Sequence, residues 1–200
     1  MDPQSVITEL AEPAAAPDVA PLRRRLAAEA DQAGLLDVAY AHLDSPLGRL
    51  LLAATPRGLV RIAYPVEDHD RVLQALAERI SPRILLAPDR LRPVAAQLEE
   101  YFAGRRTHFE LALDRTLSHG FRAEVQRHLS TIAYGRTESY AQVAALVGRP
   151  RAVRAVGSAC ATNPLPIVVP CHRVLRSDGS LGGYAGGLPA KQALLRLEAA

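Results

Sequence analysis

The feature that most restricts the fold is a change in hydrophobic periodicity part-way along the 200-residue chain. Residues 35–43, 49–55 and 59–64 are apolar, strand-like segments joined by turns that contain proline or glycine. From residue 73 onwards, apolar residues recur at the three- and four-residue spacing of helices. Strands followed closely by helices predict a small α+β domain, and the remaining, helical part of the chain predicts a second one.

We divide the chain into three parts. Residues 1–34 form an extension that begins with a disordered Ala/Pro-rich stretch and ends with a short helix. Residues 35–112 form the α+β domain, and residues 113–200 form the helical domain. The three histidines of the first domain are isolated in sequence and are interpreted as surface or packing residues: His42, His69 and His108.

Composition excludes several classes of protein. No run approaches the 18 apolar residues of a membrane span, and the first twenty residues are acidic, unlike a signal peptide. With two cysteines, the chain can build neither a disulfide framework nor a four-cysteine zinc site. We therefore expect a cytoplasmic protein in a reducing environment, with no metal.

Charge is divided unevenly along the chain. Residues 1–114 carry 13 basic and 17 acidic side chains, whereas residues 115–200 carry 11 basic and 4 acidic ones. A cationic C-terminal half favours a polyanionic partner, with nucleic acid as the first candidate. The alternative is a solvated arginine-rich face, because 23 of the 24 basic residues are arginine and the whole composition is biased.

Two short helices with a tight turn between them are predicted in this cationic half. Ser139 and Gln142 have the spacing of a capping box, which begins a helix at Tyr140, and Gly148 is placed to end it. Pro150 suits the first turn of a second helix, over 151–162. The pair has the outline of a helix-turn-helix, which is a weak indication of DNA binding when it stands alone.

The second of these helices has two unlike faces. One face is small and polar with arginines, and the other is apolar and comprises Val153, Val156 and Cys160. Alanines and a glycine keep much of the helix slim. A slim helix suits close approach to DNA and close packing against another helix equally well.

The residues that carry chemistry follow an apolar, strand-like run that ends at Pro170-Cys171-His172. Pro170 stiffens the backbone that presents Cys171, and the neighbouring histidine and arginines favour the thiolate. Because adjacent residues of an extended strand point in opposite directions, we expect a water to link Cys171 with His172. The alternative is an inert, buried packing cysteine.

A loop rich in glycine comes next. Residues 181–187 read Leu-Gly-Gly-Tyr-Ala-Gly-Gly, which places four glycines around Tyr184. Such a loop offers backbone N–H groups and room for a flat ligand against the tyrosine ring. A flexible connector is the alternative, and the loop lacks the strand-to-helix context of a phosphate-binding loop.

Taken together, these segments resemble the O6-alkylguanine-DNA alkyltransferase family. The resemblance rests on Pro-Cys-His-Arg-Val at 170–174, with Asn163-Pro164 before it and Gly-Gly-Tyr-Ala-Gly-Gly-Leu at 182–188 after it. The Tyr-Gly and Ser-Tyr pairs within 134–140 and Arg-Ala-Val-Gly at 154–157 match too. The resemblance extends more weakly back to about residue 35 and does not cover the first thirty residues.

The resemblance implies an α+β fold with a small RNase H-like domain followed by a helical, winged-helix-like domain that bears the helix-turn-helix. It implies single-turnover repair, in which the alkyl group of O6-alkylguanine, and less efficiently of O4-alkylthymine, moves to Cys171. The damaged base would be flipped from double-stranded DNA. No cofactor and no membrane are implied. We expect a monomer, nucleoid-associated in a bacterium, and leave cooperative binding to DNA open.

Family membership would also give roles to the matching residues. His172, oriented by Glu198, would activate the thiol of Cys171 through a water, and Asn163 would hold the turn beneath it. Tyr140 would donate a hydrogen bond to guanine N3. These five residues form the predicted catalytic set.

DNA contacts and a substrate pocket are implied at further positions. Arg154 would fill the gap left by the flipped nucleotide, and the slim surface of Ala152, Ala155 and Gly157 would allow the helix into the minor groove, with Tyr140 nearby. The Ala185 N–H would meet O6, and the carbonyls of Cys171 and Val174 would accept from N2. The residues implied to line the pocket are Cys160, Pro166, Val174, Gly182, Tyr184, Ala185 and Lys191.

Three positions depart from the family pattern. Ala133 replaces a common proline, Gln126 replaces a frequent tryptophan, and Ala161 stands where some members carry a DNA-contacting arginine.

Three alternatives compete with the repair function. A non-catalytic alkyltransferase-like protein would have the cysteine replaced, a DNA-binding regulator would not need the Pro-Cys-His segment, and a cysteine hydrolase would need an oxyanion site.

Overall fold

The computed structural model describes residues 19–199, so nearly all of the stretch predicted to be disordered, residues 1 to about 20, lies outside the described part. The N-terminal elements are α1 (Ala20–Gln32), β1 (Val38–Ser45), β2 (Gly48–Thr55), β3 (Gly58–Ala63), α2 (His69–Arg79), β4 (Ile84–Leu86) and α3 (Pro88–Phe102). The three predicted strands are present. β4 was not predicted, because a three-residue edge strand carries too few positions for a periodicity.

Four strands form one sheet in the order β3-β2-β1-β4. β1, β2 and β3 form an antiparallel meander, and β4 pairs with β1 in parallel. The β1–β2 turn is closed by the Ser45 hydroxyl, which donates to the Gly48 carbonyl at 2.7 Å. Gly48 has a φ of 90°, a conformation that glycine adopts without strain.

Helices cover both faces of the sheet. α3 packs Leu91 and Leu98 onto the face that carries Leu50 and Leu52 of β2. On the other face, Leu76 of α2 packs with Val38, Ala53 and Val60. Alternate side chains of the strands are therefore buried on opposite sides of the sheet.

Two histidines of this domain are packed together rather than isolated. The rings of His42 and His69 stack with centroids 5.5 Å apart. Nε2 of His69 also lies 3.1 Å from the carbonyl oxygen of Tyr64. Burial, followed by the charges of Arg49 and His69, lowers the pKa of His42. Both are packing residues, as predicted, and the structure adds that they are neighbours in space.

The C-terminal elements are α4 (Gly120–Leu129), β5 (Glu138–Ser139), α5 (Tyr140–Leu146), α6 (Val153–Ala161), a 3-10 turn (Cys171–Arg173), β6 (Val174–Leu175) and α7 (Gly187–Glu198). The capping box at Ser139 is present: its hydroxyl accepts from the Gln142 N–H at 3.1 Å, and the Gln142 side chain accepts from the Ser139 N–H at 2.6 Å. Gly148 follows α5 with a φ of 73°.

The second helix of the helix-turn-helix begins later than predicted. Ala152 is its N-cap, so Pro150 and Arg151 lie in the turn before it. The Ala152 N–H donates to the Arg149 carbonyl, which closes that turn. Val153 at the helix start is 37% exposed and does not belong to the packing face. The buried face is formed by Val156, Ala159 and Cys160.

One hydrophobic cluster joins the two halves of the chain. It runs from Leu50 and Leu98 of the N-terminal half to Val125, Val156 and Leu194 of the C-terminal half. The segment that contains Cys171 lies within this shared core, so both halves position it. Within residues 19–199, no helix combines the length and the apolar character needed to cross a membrane.

Candidate active site

The backbone around Cys171 is a series of tight turns rather than the predicted extended strand. Residues 164–169 form turns and bends, and Cys171–Arg173 forms a single 3-10 turn. Prolines at 164, 166 and 170 remove ladder donors, which disfavours a strand here. Ile167 has a φ of 72°, a strained conformation for a β-branched residue. Cys171 is therefore presented by a rigid corner.

The thiol of Cys171 is buried and hydrogen-bonded. Its side chain is 2% exposed. Nδ2 of Asn163 donates to Sγ at 3.2 Å and to the Val169 carbonyl at 2.8 Å, while Oδ1 accepts from the Leu165 N–H at 3.1 Å. Burial raises the pKa of the Cys171 thiol, although the hydrogen bond from Asn163 and the charge of Lys191 act against this. The thiol consequently needs a base to become a nucleophile at neutral pH.

His172 supplies a nitrogen with the properties of such a base. Its ring is fully buried, and Nε2 lies 2.8 Å from Oε1 of Glu198. Because a carboxylate only accepts hydrogen bonds, Nε2 donates, and Nδ1 of the neutral ring carries the free lone pair. Nδ1 is buried and meets no hydrogen-bond partner within the described residues. Burial lowers the pKa of His172 and thereby favours this neutral form, partly offset by Glu198.

Glu198, at the end of α7, is the centre of a buried polar network. Arg173 donates to it through Nε at 2.8 Å and through Nη2 at 2.9 Å, and the Tyr101 hydroxyl donates at 2.6 Å. Burial alone would raise the pKa of Glu198, but the hydrogen bonds from His172, Arg173 and Tyr101 hold it well below its ordinary value. The carboxylate is therefore ionised and fixes both the tautomer and the orientation of His172.

An open cavity of about 400 Å³ is connected to this network through Tyr184, which lines the cavity and meets the His172 ring edge to face at 6.5 Å, whereas Cys171 and His172 do not line it. Three of the predicted pocket residues line it, Gly182, Tyr184 and Ala185, together with Tyr140 of the predicted catalytic set. Arg154 and Gly157 of α6 form another part of its wall. The cavity thus joins the glycine-rich loop to the outward face of the second helix of the helix-turn-helix.

The remaining predicted pocket residues do not line this cavity: Cys160, Pro166, Val174 and Lys191. All four are buried. Cys160 belongs to the packing face of α6, and Nζ of Lys191 turns inward to donate to the Val174 carbonyl at 2.6 Å. Nζ also lies 5.9 Å from the centre of the Tyr140 ring. Lys191 therefore supports the wall behind the cavity.

The glycine-rich loop is packed against the site, which argues against a flexible connector. A Cβ at Gly182 would collide with the hydroxyl of Tyr140, so only glycine fits there. Burial raises the pKa of Tyr140 to about 12. Its hydroxyl is therefore a protonated hydrogen-bond donor at physiological pH.

The outward face of α6 is small and partly open to solvent. Arg154 and Ala155 are exposed, and Ala152 and Gly157 are half-buried. A Cβ at Gly157 would meet no atom of residues 19–199 within 4 Å. Packing against another helix, one of the two readings that the sequence left open, therefore does not explain why this face is slim.

Comparisons with known proteins decide the family. The family model described as "6-O-methylguanine DNA methyltransferase, ribonuclease-like domain" matches residues 38–115, and the one described as its "DNA binding domain" matches residues 120–200. A methylated-DNA--protein-cysteine methyltransferase of Methanosarcina barkeri is 40% identical over 159 residues, which cover 80% of this chain and 96% of that protein. The chain belongs to the 6-O-methylguanine DNA methyltransferase family.

Further relatives agree with this assignment. A methylated-DNA--protein-cysteine methyltransferase of Mycolicibacterium paratuberculosis is 41% identical over 161 residues, covering 80% of this chain and 92% of its own length. The solved structure titled "Crystal structure of Mycobacterium tuberculosis OGT in complex with DNA" has a TM-score of 0.70 and 39% identity, covering 80% of this chain and 92% of that one. The predicted α+β fold class, with an RNase H-like first domain and a helical second one, is confirmed.

The structure shows where two of the residues that depart from the 6-O-methylguanine DNA methyltransferase pattern lie and what they contact. Gln126 is buried, accepts a hydrogen bond from the Ser118 hydroxyl, and donates to the Ala159 carbonyl of α6 at 3.2 Å. It thus joins α4 to α6 by a polar contact. Ala161 is exposed at the edge of the cavity.

Among residues 19–199, no group of three His, Cys, Asp or Glu side chains could hold a metal ion.

Sequence reasoning missed the residues that the ribonuclease-like domain contributes. Tyr101 of α3 donates to Glu198, and the Tyr64 hydroxyl lies 2.7 Å from the Tyr184 hydroxyl. Both tyrosines are separated from their partners by about a hundred residues, and neither belongs to a motif. The general expectation that buried tyrosine hydroxyls find partners was the only available signal.

Proposed function

We propose that this protein repairs DNA by transferring the alkyl group of O6-alkylguanine to Cys171, once per molecule. The observation that carries the proposal is a buried thiol followed directly in the chain by a buried histidine. Nδ1 of His172 has no partner among the described residues, while Nε2 is held by an ionised Glu198. This is an arrangement in which a water-linked base takes a proton from a thiol.

The proposed reaction is a displacement at the alkyl carbon. The Cys171 S–C bond forms while the C–O6 bond breaks, and the electron pair of the broken bond stays on the guanine. The thiol proton passes through a water to Nδ1 of His172. Negative charge that builds on the purine is met by donors from Tyr140 at N3 and from the Ala185 N–H at O6. The thioether is not cleaved, so one protein repairs one lesion.

DNA is the partner expected of the DNA-binding domain that matches residues 120–200. We propose that α6 enters the minor groove with its small outward face, and that the damaged nucleotide is flipped into the cavity beside Tyr184. Arg154, exposed at the wall of that cavity, would fill the space left in the duplex. We further propose that the protein is a cytoplasmic monomer with weaker activity on O4-alkylthymine.

Mass spectrometry tests this proposal. The protein is incubated with duplex DNA that contains one O6-methylguanine, and both the intact mass and the Cys171 peptide are measured. We expect one added methyl group per protein, located on Cys171. A protein that binds the lesion without being modified would instead be a non-catalytic binding protein. Absence of both modification and lesion preference would contradict repair. Size-exclusion chromatography with light scattering checks the monomer.

A further inference from the structure

Tyr64 belongs to the N-terminal domain, yet its side chain ends at the candidate active site. It follows β3 directly and is 1% exposed. Its hydroxyl lies 2.7 Å from the hydroxyl of Tyr184, and the two rings meet edge to face with centroids 5.6 Å apart. The contact therefore joins the first domain to the glycine-rich loop that lines the cavity.

Neighbouring groups hold Tyr64 firmly in place. Its backbone N–H donates to Oε2 of Glu67 at 2.8 Å, and its carbonyl lies 3.1 Å from Nε2 of His69. Glu67 is in turn paired with Arg61. On the loop side, a Cβ at Gly186 would lie 2.8 Å from the Tyr64 ring. The ring is thus clamped between its own domain and the loop backbone.

Tyr184 has one backbone hydrogen bond from its own segment, in which the Gly187 N–H donates to its carbonyl at 3.0 Å. It stands between Gly182-Gly183 and Gly186-Gly187, and glycine leaves the backbone more freedom than any other residue. Its ring lines the cavity and meets His172 edge to face at 6.5 Å. A wall built on such a loop keeps one position only if something outside the loop fixes it.

We propose that Tyr64 is a positioning residue that fixes Tyr184 as a rigid wall and thereby limits the size of the alkyl adduct the site accepts. The inference rests on the proposed function, because it concerns the substrate of the same site. Tyr64 itself lies behind Tyr184 and takes no part in the transfer. Loss of its hydroxyl lets Tyr184 move away from the cavity, which adds room for bulky groups and changes little for a methyl group.

The test compares adducts of two sizes. Single-turnover transfer rates are measured for duplexes with O6-methylguanine and with O6-benzylguanine, using wild-type protein and Tyr64→Phe. We expect the benzyl-to-methyl rate ratio to rise about fivefold in the variant, the equivalent of one neutral hydrogen bond. Tyr184→Phe removes the same bond from the other side and should shift the ratio in the same direction.

Tyr40→Phe is the matched control. Tyr40 is a half-buried tyrosine of the same domain that contacts the His42 ring, and its hydroxyl has no hydrogen-bond partner within residues 19–199. This variant should keep the wild-type ratio. Thermal unfolding of all the variants checks that each is folded. A Tyr64→Phe ratio equal to that of Tyr40→Phe would overturn the inference.

A measurement without DNA separates this inference from the proposed function. Because Cys171 is almost fully buried, we expect iodoacetamide to label it only when its surroundings open, and peptide mass spectrometry distinguishes it from Cys160. We expect labelling of Cys171 to be about fivefold faster in Tyr64→Phe than in Tyr40→Phe, for the same hydrogen-bond reason. If wild-type protein accepts neither adduct, the proposed function fails, and this labelling rate alone decides the role of Tyr64. Equal rates would then contradict it.

Discussion

The two cysteines of this protein are both buried, yet their surroundings differ in kind. Cys160 lies on the apolar packing face of α6, and burial raises the pKa of its thiol. Cys171 is buried as deeply, but it accepts a hydrogen bond from Asn163 and is followed by a histidine held by Glu198. Burial therefore does not distinguish a reactive thiol from a packing one. Polar partners do.

These partners come from distant parts of the chain. Asn163 follows α6, Glu198 ends α7, and Tyr101 reaches Glu198 from α3 of the first domain. Cys160, by contrast, meets side chains that form an ordinary apolar core. The polar network beside Cys171 thus draws on both domains, whereas Cys160 packs by apolar contacts in the hydrophobic cluster that the two domains share.

Replacing each thiol by a hydroxyl gives the largest expected contrast. Cys171→Ser should abolish methyl transfer completely, because serine lacks the nucleophilic sulfur. Cys160→Ser should retain transfer, at the stability cost of a hydroxyl in an apolar site, about 1–3 kcal/mol. Transfer is measured by mass spectrometry with O6-methylguanine duplex. Loss of transfer in a folded Cys160→Ser protein would contradict the comparison.

Replacing the Glu198 carboxylate, which holds His172 and Arg173, should have the next largest effect, a loss of unfolding free energy. Glu198→Gln leaves the buried guanidinium of Arg173 without its charge partner, which should cost about 3–5 kcal/mol of unfolding free energy in urea. Glu138→Gln is the control, because the Glu138–His128 pair is partly exposed and should contribute about 1 kcal/mol or less.

The pH dependence of this cost has a definite sign. Because the pKa of Glu198 is lowered in the folded protein, its stabilising contribution is present above the unfolded-state pKa of about 4.3 and is lost as the pH falls through the folded-state value. The stability difference between wild type and Glu198→Gln should therefore narrow below about pH 4.3. A difference that widens on acidification would contradict an ionised Glu198.

Removing the base should slow transfer by about a hundredfold at neutral pH. With His172→Ala, the thiol must ionise without help, and since burial raises the pKa of Cys171, the rate should climb about tenfold per pH unit above neutrality. In wild type the rate should stay level as the pH falls through about 6.5, because burial lowers the pKa of His172 and keeps it neutral.

His128, a partly buried histidine paired with Glu138, provides the control for that experiment. His128→Ala removes a pair of the same type, with Nε2 2.7 Å from Oε2 of Glu138, away from the thiol. It should leave the pH profile of transfer unchanged. Parallel profiles for His172→Ala and wild type would show that His172 is not the base.

The sequence predicted the parts of the molecule that depend on local patterns. The capping box at Ser139 and the three strands joined by turns follow from short-range patterns, and both are present. The place of Asn163 beside Cys171 was implied by the family resemblance, and the two side chains are hydrogen-bonded. The extended strand before Cys171 was wrong, because three prolines and the left-handed Ile167 outweigh the β-branched composition of 167–169. Local apolar runs do not reveal this competition.

The contributions of the first domain could not be predicted in the same way. Tyr64 and Tyr101 act across the boundary between the domains, and their partners are set by how the sheet and α3 pack against the C-terminal half. A single sequence contains no signal for such pairs beyond the cost of burying an unpaired hydroxyl. Proposing Cys171 as the reactive thiol was possible from its motif, whereas identifying what orients its surroundings required the packed structure.

The smallest expected effect concerns the opposite side of the helix that buries Cys160. A Cβ at Gly157 would meet no protein atom within 4 Å, so Gly157→Ala should raise the unfolding free energy by up to about 1 kcal/mol through helix propensity. The same methyl group would stand between α6 and the DNA, and duplex affinity should fall about tenfold, as expected for overpacking of a tight interface. Ser158→Ala, exposed on the same helix, should gain helix propensity without losing affinity. Fluorescence anisotropy with labelled duplex measures the affinity, and urea unfolding measures the stability. If Gly157→Ala gains unfolding free energy but loses duplex affinity, the slim face serves the approach to DNA. If Gly157→Ala and Ser158→Ala bind duplex equally well, the small size of Gly157 has no role in DNA binding.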